Sequence, residues 1–503
     1  MNTRKLWVFL GVFALLLVSC EEEEKGRPRG DTQQFWVLDY RLRPHSIEAE
    51  LRAKGKYSNI WVERGLPVED ESLSRLAWEY DNRMRPALDV FSMQTPVADQ
   101  KGRIIARNSL ELADSFGDGD GKLAILIADI PAPGAEFMLA GYFYPGDFFS
   151  KDVIAHSNEA DIIYVNVHLG VGSAAFHTTL VHEMQHLMNF ANTVQFKSGF
   201  DSEGYLVLDE FDLWINEGLS AAAEYVYSGM HNEARLERFN DPDGDNGNEI
   251  FEGNNFFIWG ERPDKILDEY ATVYLFFQWL RLQAGGTDIY REISNSELSD
   301  YRAVLHSLRG KGNYRVDTHL SWETLLGDWM LANLMTTDNF ERFSLGTRSN
   351  SPKHSYMKDP FLSTIRPSFL GGTSAITLLP GEGVYSYTRD RRAYPANNNI
   401  RYTGAREGPV AKGESIAGGY LLTYNINPMN QPSGGDYEHL REWAQISADI
   451  PPAGAFAFAK NAEPVARPPA KPQAISLWDM LNLQGDKTAY APFVQKLQSA
   501  PED

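Results

Sequence analysis

The pentapeptide His182-Glu183-Met184-Gln185-His186 lies inside residues 178–192, a run whose apolar side chains recur at helical spacing. At about 100° per residue, Leu180, Val181, Met184, Leu187, Met188 and Ala191 share one face, while His182, His186 and Asn189 point roughly the opposite way. The spacing therefore predicts a helix over 178–192 with two imidazoles stacked one turn apart on its non-core face. Both nitrogens can reach a single ion at about 2.0–2.1 Å, the bond length of zinc. Any fold this chain adopts must present that face to a metal and supply what two histidines lack.

A tetrahedral catalytic zinc site needs a third protein ligand, commonly a carboxylate, and keeps one position for water. The segment Trp214-Ile215-Asn216-Glu217-Gly218-Leu219-Ser220 offers Glu217 on a second predicted helix, residues 212–227, opened by an Asp212 cap and closed by Gly229. Gly218, Ala221, Ala222 and Ala223 are small and allow close helix approach. The plain alternative for Glu217 is a surface acid near a helix start, where negative charge is favourable anyway. Glu224, two turns on, reads equally as a hydrogen-bond acceptor for a ligand histidine or as a solvent-facing acid. With zinc bound, a water acidified toward about pKa 7 beside Glu183 gives the parts for peptide-bond hydrolysis: Glu183 accepts the proton and passes it to the leaving amine.

Composition sets the surroundings. At 503 residues, 43% hydrophobic and 12% aromatic, the chain is globular and long enough for two to three domains. Arg4 and Lys5, the apolar run 6–18, then Ser19 and Cys20 read as a targeting segment too short for a permanent membrane span. The stretch Leu17-Val18-Ser19-Cys20 resembles the bacterial lipoprotein signal, which implies lipidation of Cys20 and an anchored place at the bacterial cell envelope, periplasmic or surface-exposed. Cys20 is the single cysteine, so no internal disulfide can form. The formal charge of −21, more negative still without the leader, disfavours nucleic acid as a partner.

Along the chain, residues 35–42, 122–130 and 161–168 read as strands and 70–84 as a helix that Pro86 would end. Residues 268–283, 301–308 and 322–335 continue as helices. Beyond about residue 352 the composition turns to Gly, Pro and Ser with short alternating strands at 374–379, 383–388, 419–425 and 455–460. The expected division is a leader over 1–19, a tether over 20–34, a catalytic domain over 35–345, a β-rich module over 352–460, and a Pro-rich linker with a terminal helix, 478–483, over 461–503.

These residues resemble the gluzincin metallopeptidases, whose HExxH helix is completed by a glutamate on a later helix. His182, His186 and Glu217 match the zinc ligands and Glu183 the general base. Within that group the chain is similar to the hyicolysin-like bacterial metallopeptidases, on His182 to Phe190 (HEMQHLMNF), Trp214 to Ser220, Gly141-Tyr142-Phe143 and residues 129–132. The resemblance spans roughly 35–340. It implies an α+β fold with a zincin-type catalytic domain: a mixed sheet, the HExxH helix and a helical lobe, followed by the smaller β-rich C-terminal module. It also implies one Zn2+ per chain and polypeptide substrates aligned by strand addition, for which 161–168 is the expected strand.

Asn216-Glu217-Gly218 is also similar to the aminopeptidase N group, although the gap from His186 is longer here and no Gly-x-Met-Glu-Asn stretch precedes His182. A lipid-anchored binding or adhesion protein on a peptidase scaffold is the reading from another class. Tyr225, Tyr270, Tyr274 and His231 are available as oxyanion donors, and spacing selects none of them. Asp241, Asp243 and Asp245 with Glu252 follow an EF-hand-like count that offers Ca2+ a site, with glycine at position 7 where position 6 is required. A second acidic loop, 114–120, has weaker spacing.

Overall fold

The computed structural model describes residues 30–428 apart from short gaps and the longer segments 99–103, 115–119, 132–137, 201–205, 241–256, 258–265, 335–342, 346–355, 368–374, 389–398 and 408–418, together with 446–449 and 474–476. The leader, Cys20, the tether, the Asp241, Asp243, Asp245 and Glu252 loop, strand 455–460 and helix 478–483 lie outside the described residues.

The chain opens with three antiparallel strands, β1 (Thr32–Leu38), β2 (Pro44–Lys54) and β3 (Ser58–Glu63). Along most of β2, buried residues alternate with partly exposed ones, the pattern of a strand covered on one face. In contrast, β4 (Leu123–Ala128) and β6 (Ile162–Asn166) are buried at every position. They are the central parallel strands: β3 pairs parallel with β4, and β4 with β6. β5 (Met138–Phe143) runs antiparallel beside β6, and Ala474–Ser476 pairs parallel with β5, giving the order β1-β2-β3-β4-β6-β5 and then 474–476.

That order corrects one expectation. Of the expected strand 161–168, Ile162–Asn166 form β6, which has a neighbour on each side and no edge to offer a substrate; the strand nearer the edge is β5. The cause is legible in burial, because an unbroken apolar strand belongs in the middle of a parallel sheet.

The sheet curls. Trp36 N donates to Asn158 Oδ1 at 2.8 Å and Leu38 N to Tyr142 Oη at 2.8 Å, so β1 folds over toward β5 and β6 from the far end of the strand order. Phe35, Val37, Leu51, Trp61, Leu126 and Tyr164 fill the space enclosed on that face. The other face carries the larger core, built with α2 (Ala174–Phe196), α3 (Leu213–Ser228) and α4 (Ile266–Ala284). Before them, α1 (Asp70–Glu79) does not end at Pro86: a π turn at Tyr80–Met84 intervenes and Arg85–Leu88 resumes the helix, with the proline in its first turn, where a backbone N–H is not needed.

The helical lobe continues through α5 (Tyr301–Leu308) and α6 (Trp322–Leu334). A four-stranded sheet follows, β7 (Phe343–Leu345), β8 (Gly383–Thr388), β9 (Ile400–Glu407) and β10 (Gly419–Asn425), in the order β7-β9-β10-β8. It sits against α6: Tyr385 Oη donates to Met330 O at 2.9 Å and accepts from Asn333 Nδ2 at 3.1 Å. The architecture is α+β, a mixed curled sheet and helices with a smaller β module. Among the described residues no helix is long and apolar enough to cross a membrane.

Candidate metal centre

Ser173 starts α2, its Oγ accepting from Phe176 N at 3.0 Å, and the helix then runs 23 residues without a break. The sequence pattern predicts one buried face and one open face. The structure buries both: every residue from Leu180 to Thr193 is buried. The histidine face is covered by α3, which ends at Gly229 in the left-handed conformation, φ 67°. Gly218 is needed for a different neighbour than the small-residue pattern suggests, since an added Cβ there would overlap the Phe277 ring on α4. Asp212 stands at the N-cap of α3 as predicted, but its side chain makes no capping hydrogen bond.

The two helices bring His182, His186 and Glu217 together, at 5%, 3% and 0% exposure. Glu217 Oε2 lies 3.2 Å from His182 Nε2 and 3.6 Å from His186 Nε2, and the three ligand atoms are all within 4.8 Å of one another. Ligands on a tetrahedral ion with bonds of 2.0–2.1 Å stand about 3.4 Å apart, so the carboxylate-to-imidazole spacings bracket that value. Neither oxygen of Glu217 has a hydrogen-bond partner, although the residue is fully buried. A buried carboxylate without donors is costly unless a cation sits beside it. The donor set therefore fits zinc: two imidazoles and a carboxylate, closed off from solvent and short of positive charge. Among the described residues it is the one such cluster of His, Cys, Asp and Glu.

The outer nitrogens are held as a metal site requires. His182 Nδ1 is 2.7 Å from Glu224 Oε1, and His186 Nδ1 is 3.2 Å from Ser220 Oγ. With each Nδ1 proton directed outward, each Nε2 lone pair faces Glu217. Glu224 is thus the partner of a ligand histidine, and Asn232 Nδ2 at 3.4 Å and Arg235 at 3.8 Å hold it in turn. Burial alone would raise the Glu224 carboxyl; its hydrogen bond to His182 and the charge of Arg235 keep it below the ordinary value. For Glu217 burial likewise opposes ionisation, and when the imidazoles are protonated the charge of His186 and the N–H groups of His182 and His186 outweigh it and hold the group low.

Glu183 points the other way, toward the sheet. Its Oε2 accepts from Phe143 N at the end of β5, 3.1 Å, while Oε1 is buried with no partner. Burial raises its carboxyl above the usual range. Asn189 fastens α2 to α3 beside the ligands, donating to Asn216 Oδ1 at 2.6 Å and accepting from Gln185 Nε2 at 2.9 Å.

Of the four oxyanion candidates, Tyr274 Oη is 2.9 Å from His231 Nδ1 and accepts from Asn232 N at 2.9 Å. His231 Nε2 in turn meets Asp359 Oδ2 at 2.9 Å, and the Tyr225 ring packs on His231 with centroids 4.8 Å apart. Tyr270 lies under the Arg235 guanidinium, 4.5 Å from ring centroid to charge. Three of the four thus build a polar chain between the helical lobe and residues 359–364, and Tyr270 supports the arginine that faces Glu224. At the weaker acidic loop, Asp114 is paired with Arg85 and accepts from Tyr80 Oη at 3.1 Å, so an arginine supplies the charge that a cation reading assigns to calcium.

Spacing alone could have suggested Ser220, one turn beyond Glu217 on α3. The Phe143 amide and Arg235 had no sequence signal, since a backbone donor and a side chain from another helix depend on the tertiary fold. No protein-family model matches the chain. It is similar to neutral metalloprotease ShpI of Staphylococcus hyicus, 27% identical over 350 residues that cover 67% of this chain and 67% of that protein.

Proposed function

We propose that this chain, a zinc metallopeptidase by its His182–His186–Glu217 cluster and its similarity to a neutral metalloprotease, is an endopeptidase that cuts extended polypeptide with Glu183 as general base. One observation carries the reading. Glu217 is fully buried with no hydrogen-bond partner, and its Oε2 lies within 3.6 Å of two imidazoles that already spend their outer nitrogens elsewhere. When bound by these three residues, zinc supplies Lewis acidity that polarises the scissile carbonyl and acidifies water.

The rest is the work of the chain's own groups. Phe143 N–H fixes one oxygen of Glu183 and leaves Oε1 to take a proton from the attacking water and return it to the leaving amine. The burial that raises this carboxyl makes it a better base than an exposed glutamate. β5 ends beside Glu183, so a substrate backbone laid along Tyr142 and Phe143 by strand addition brings a peptide bond to that oxygen. Residues 474–476 pair with Met138, Leu139 and Gly141 and stop short of that end.

The test is cleavage of N-acetylated against free-amine peptides of equal sequence. An endopeptidase cuts both internally at similar rates, whereas loss of all activity on the acetylated series would move the protein to the aminopeptidases. We further propose a lipid on Cys20 that anchors the enzyme at the bacterial envelope, the division of the chain at 35–345 and 352–460 serving a catalytic and an accessory part. Metabolic labelling with a fatty-acid analogue tests the anchor: label lost in Cys20→Ala supports it, and label retained argues against it.

A further inference from the structure

The turn that follows α3, residues 229–232, is fastened from two sides. On one side it meets the metal centre. Asn232 Nδ2 reaches Glu224 Oε2 at 3.4 Å, while Asn232 Oδ1 accepts from Arg235 N at 3.3 Å and so caps the short helix Glu233–Phe239, which carries Arg235 to Glu224. On the other side the turn meets Asp359. A carboxylate only accepts, so His231 Nε2, 2.9 Å from Asp359 Oδ2, carries a proton, and Nδ1 of the neutral ring accepts from Tyr274 Oη at 2.9 Å. Tyr274 Oη then has a lone pair for Asn232 N–H, also at 2.9 Å. From Asn232 to Asp359 every donor points the same way, an arrangement in which each bond strengthens the next.

Asp359 is itself held. Its Oδ2 also accepts from Arg281 on α4 at 2.9 Å, and its Oδ1 accepts from Phe361 N at 3.2 Å and Leu362 N at 3.3 Å. The Phe361 ring stacks on His231, centroids 5.0 Å apart and planes within 8°. Three residues before Asp359, Tyr356 Oη donates to Asn333 Oδ1 on α6 at 2.8 Å, and the same asparagine donates to Tyr385 of β8.

We propose that Tyr274, His231 and Asp359 are positioning residues for the zinc ligand His182. They fix the turn 229–232, the turn holds Asn232 and Arg235 against Glu224, and Glu224 holds His182 Nδ1 at 2.7 Å. The Nε2 lone pair stays aimed at the ion only while Nδ1 is held, so slack anywhere along the series lowers zinc affinity. Through Tyr356 and Asn333 the β module is keyed to the same series. The proposal rests on the zinc site and deepens it, naming the part of the fold outside α2 and α3 that sets its affinity.

The experiment measures zinc affinity of the full chain by competition with a chromophoric chelator, alongside the melting temperature of the zinc-free protein. Tyr274→Phe, which keeps the ring and removes both of its hydrogen bonds, should weaken zinc binding about tenfold, the low end for groups that support a ligand histidine. Asp359→Asn, at the far end of the series, should weaken it about fivefold, near the worth of one hydrogen bond. Both variants are then repeated in a Glu224→Ala background. If the series acts through Glu224, neither substitution has a further effect there. An equal loss in both backgrounds would make these residues general supports of the lobe, and an unchanged affinity in the otherwise wild-type chain would remove them from the metal centre; either result overturns the proposal. Should Tyr274→Phe fail to fold, Asp359→Asn decides by the same cycle. No turnover enters the readout, so the outcome is independent of whether the protein proves to be an endopeptidase.

Discussion

Asp147 and Glu217 are both buried carboxylates, 1% and 0% exposed, tied to cores on opposite faces of one curled sheet, and their surroundings differ in one respect. Asp147 has both oxygens filled: Oδ2 accepts from Tyr164 Oη at 2.6 Å and Oδ1 from Asn158 N at 2.7 Å. Asn158 is satisfied as well, since it exchanges hydrogen bonds with Trp36 N and O at 2.8 Å each. Glu217 has neither oxygen filled and faces two imidazoles. A closed network of neutral donors fastens β1 to the sheet and asks for nothing more. An open one of the opposite kind persists only if a cation completes it. Titration separates them too: among neutral donors burial raises Asp147 to about 7, whereas the charge and N–H groups of protonated His186 and His182 hold Glu217 low.

Substitutions should separate the two clusters. Glu217→Ala has the largest expected effect, a loss of zinc affinity of more than about a hundredfold, read as metal content after dialysis against a weak chelator. Full zinc retention would put Glu217 in the same class as Asp147. Glu224→Ala, which frees His182 Nδ1, should cost about ten- to a hundredfold in zinc affinity by the same assay, and no change would make Glu224 a bystander. Tyr164→Phe should leave zinc content at the wild-type level and lower the unfolding free energy by about 1–3 kcal/mol in denaturant titration, because it strips a donor from a buried carboxylate. A loss of zinc in this variant would mean that the two faces are coupled.

The smallest effect is in pH. Asp147 titrates near 7 when folded, against about 4 for an unfolded aspartate, so the native state binds the extra proton between those values. Its contribution to stability is therefore fully present below about pH 4 and is lost as pH rises through 7. The difference in stability between wild type and Asp147→Asn should shift against the wild type over that interval; a difference that is flat in pH would show that Asp147 stays ionised.

The unequal legibility of these clusters has a physical cause. The metal side was readable because zinc imposes a spacing: His182 and His186 one turn apart on one helix, and a carboxylate in the Asn216-Glu217-Gly218 setting. Helix ends marked by glycine, such as Gly229 and Gly285, were readable for a similar local reason. What the pattern misjudged is burial of the histidine face, since an amphipathic helix looks half-exposed until a second helix lies on its polar side. Pro86 misled because a π turn before it absorbs the break. The Asp147 network left no trace, for Trp36 and Asn158 are 122 positions apart and meet only when the sheet curls. Likewise the Phe143 amide that holds Glu183 comes from a strand 40 residues away.

Glu183 is proposed to move the proton for a zinc site it does not help to build. Cleavage of an unfolded protein should therefore be followed for wild type and Glu183→Gln at equal measured zinc content. The wild type should cut, and the variant should be slower by about a thousandfold, within the range for loss of a general base. Equal rates at equal zinc would contradict it.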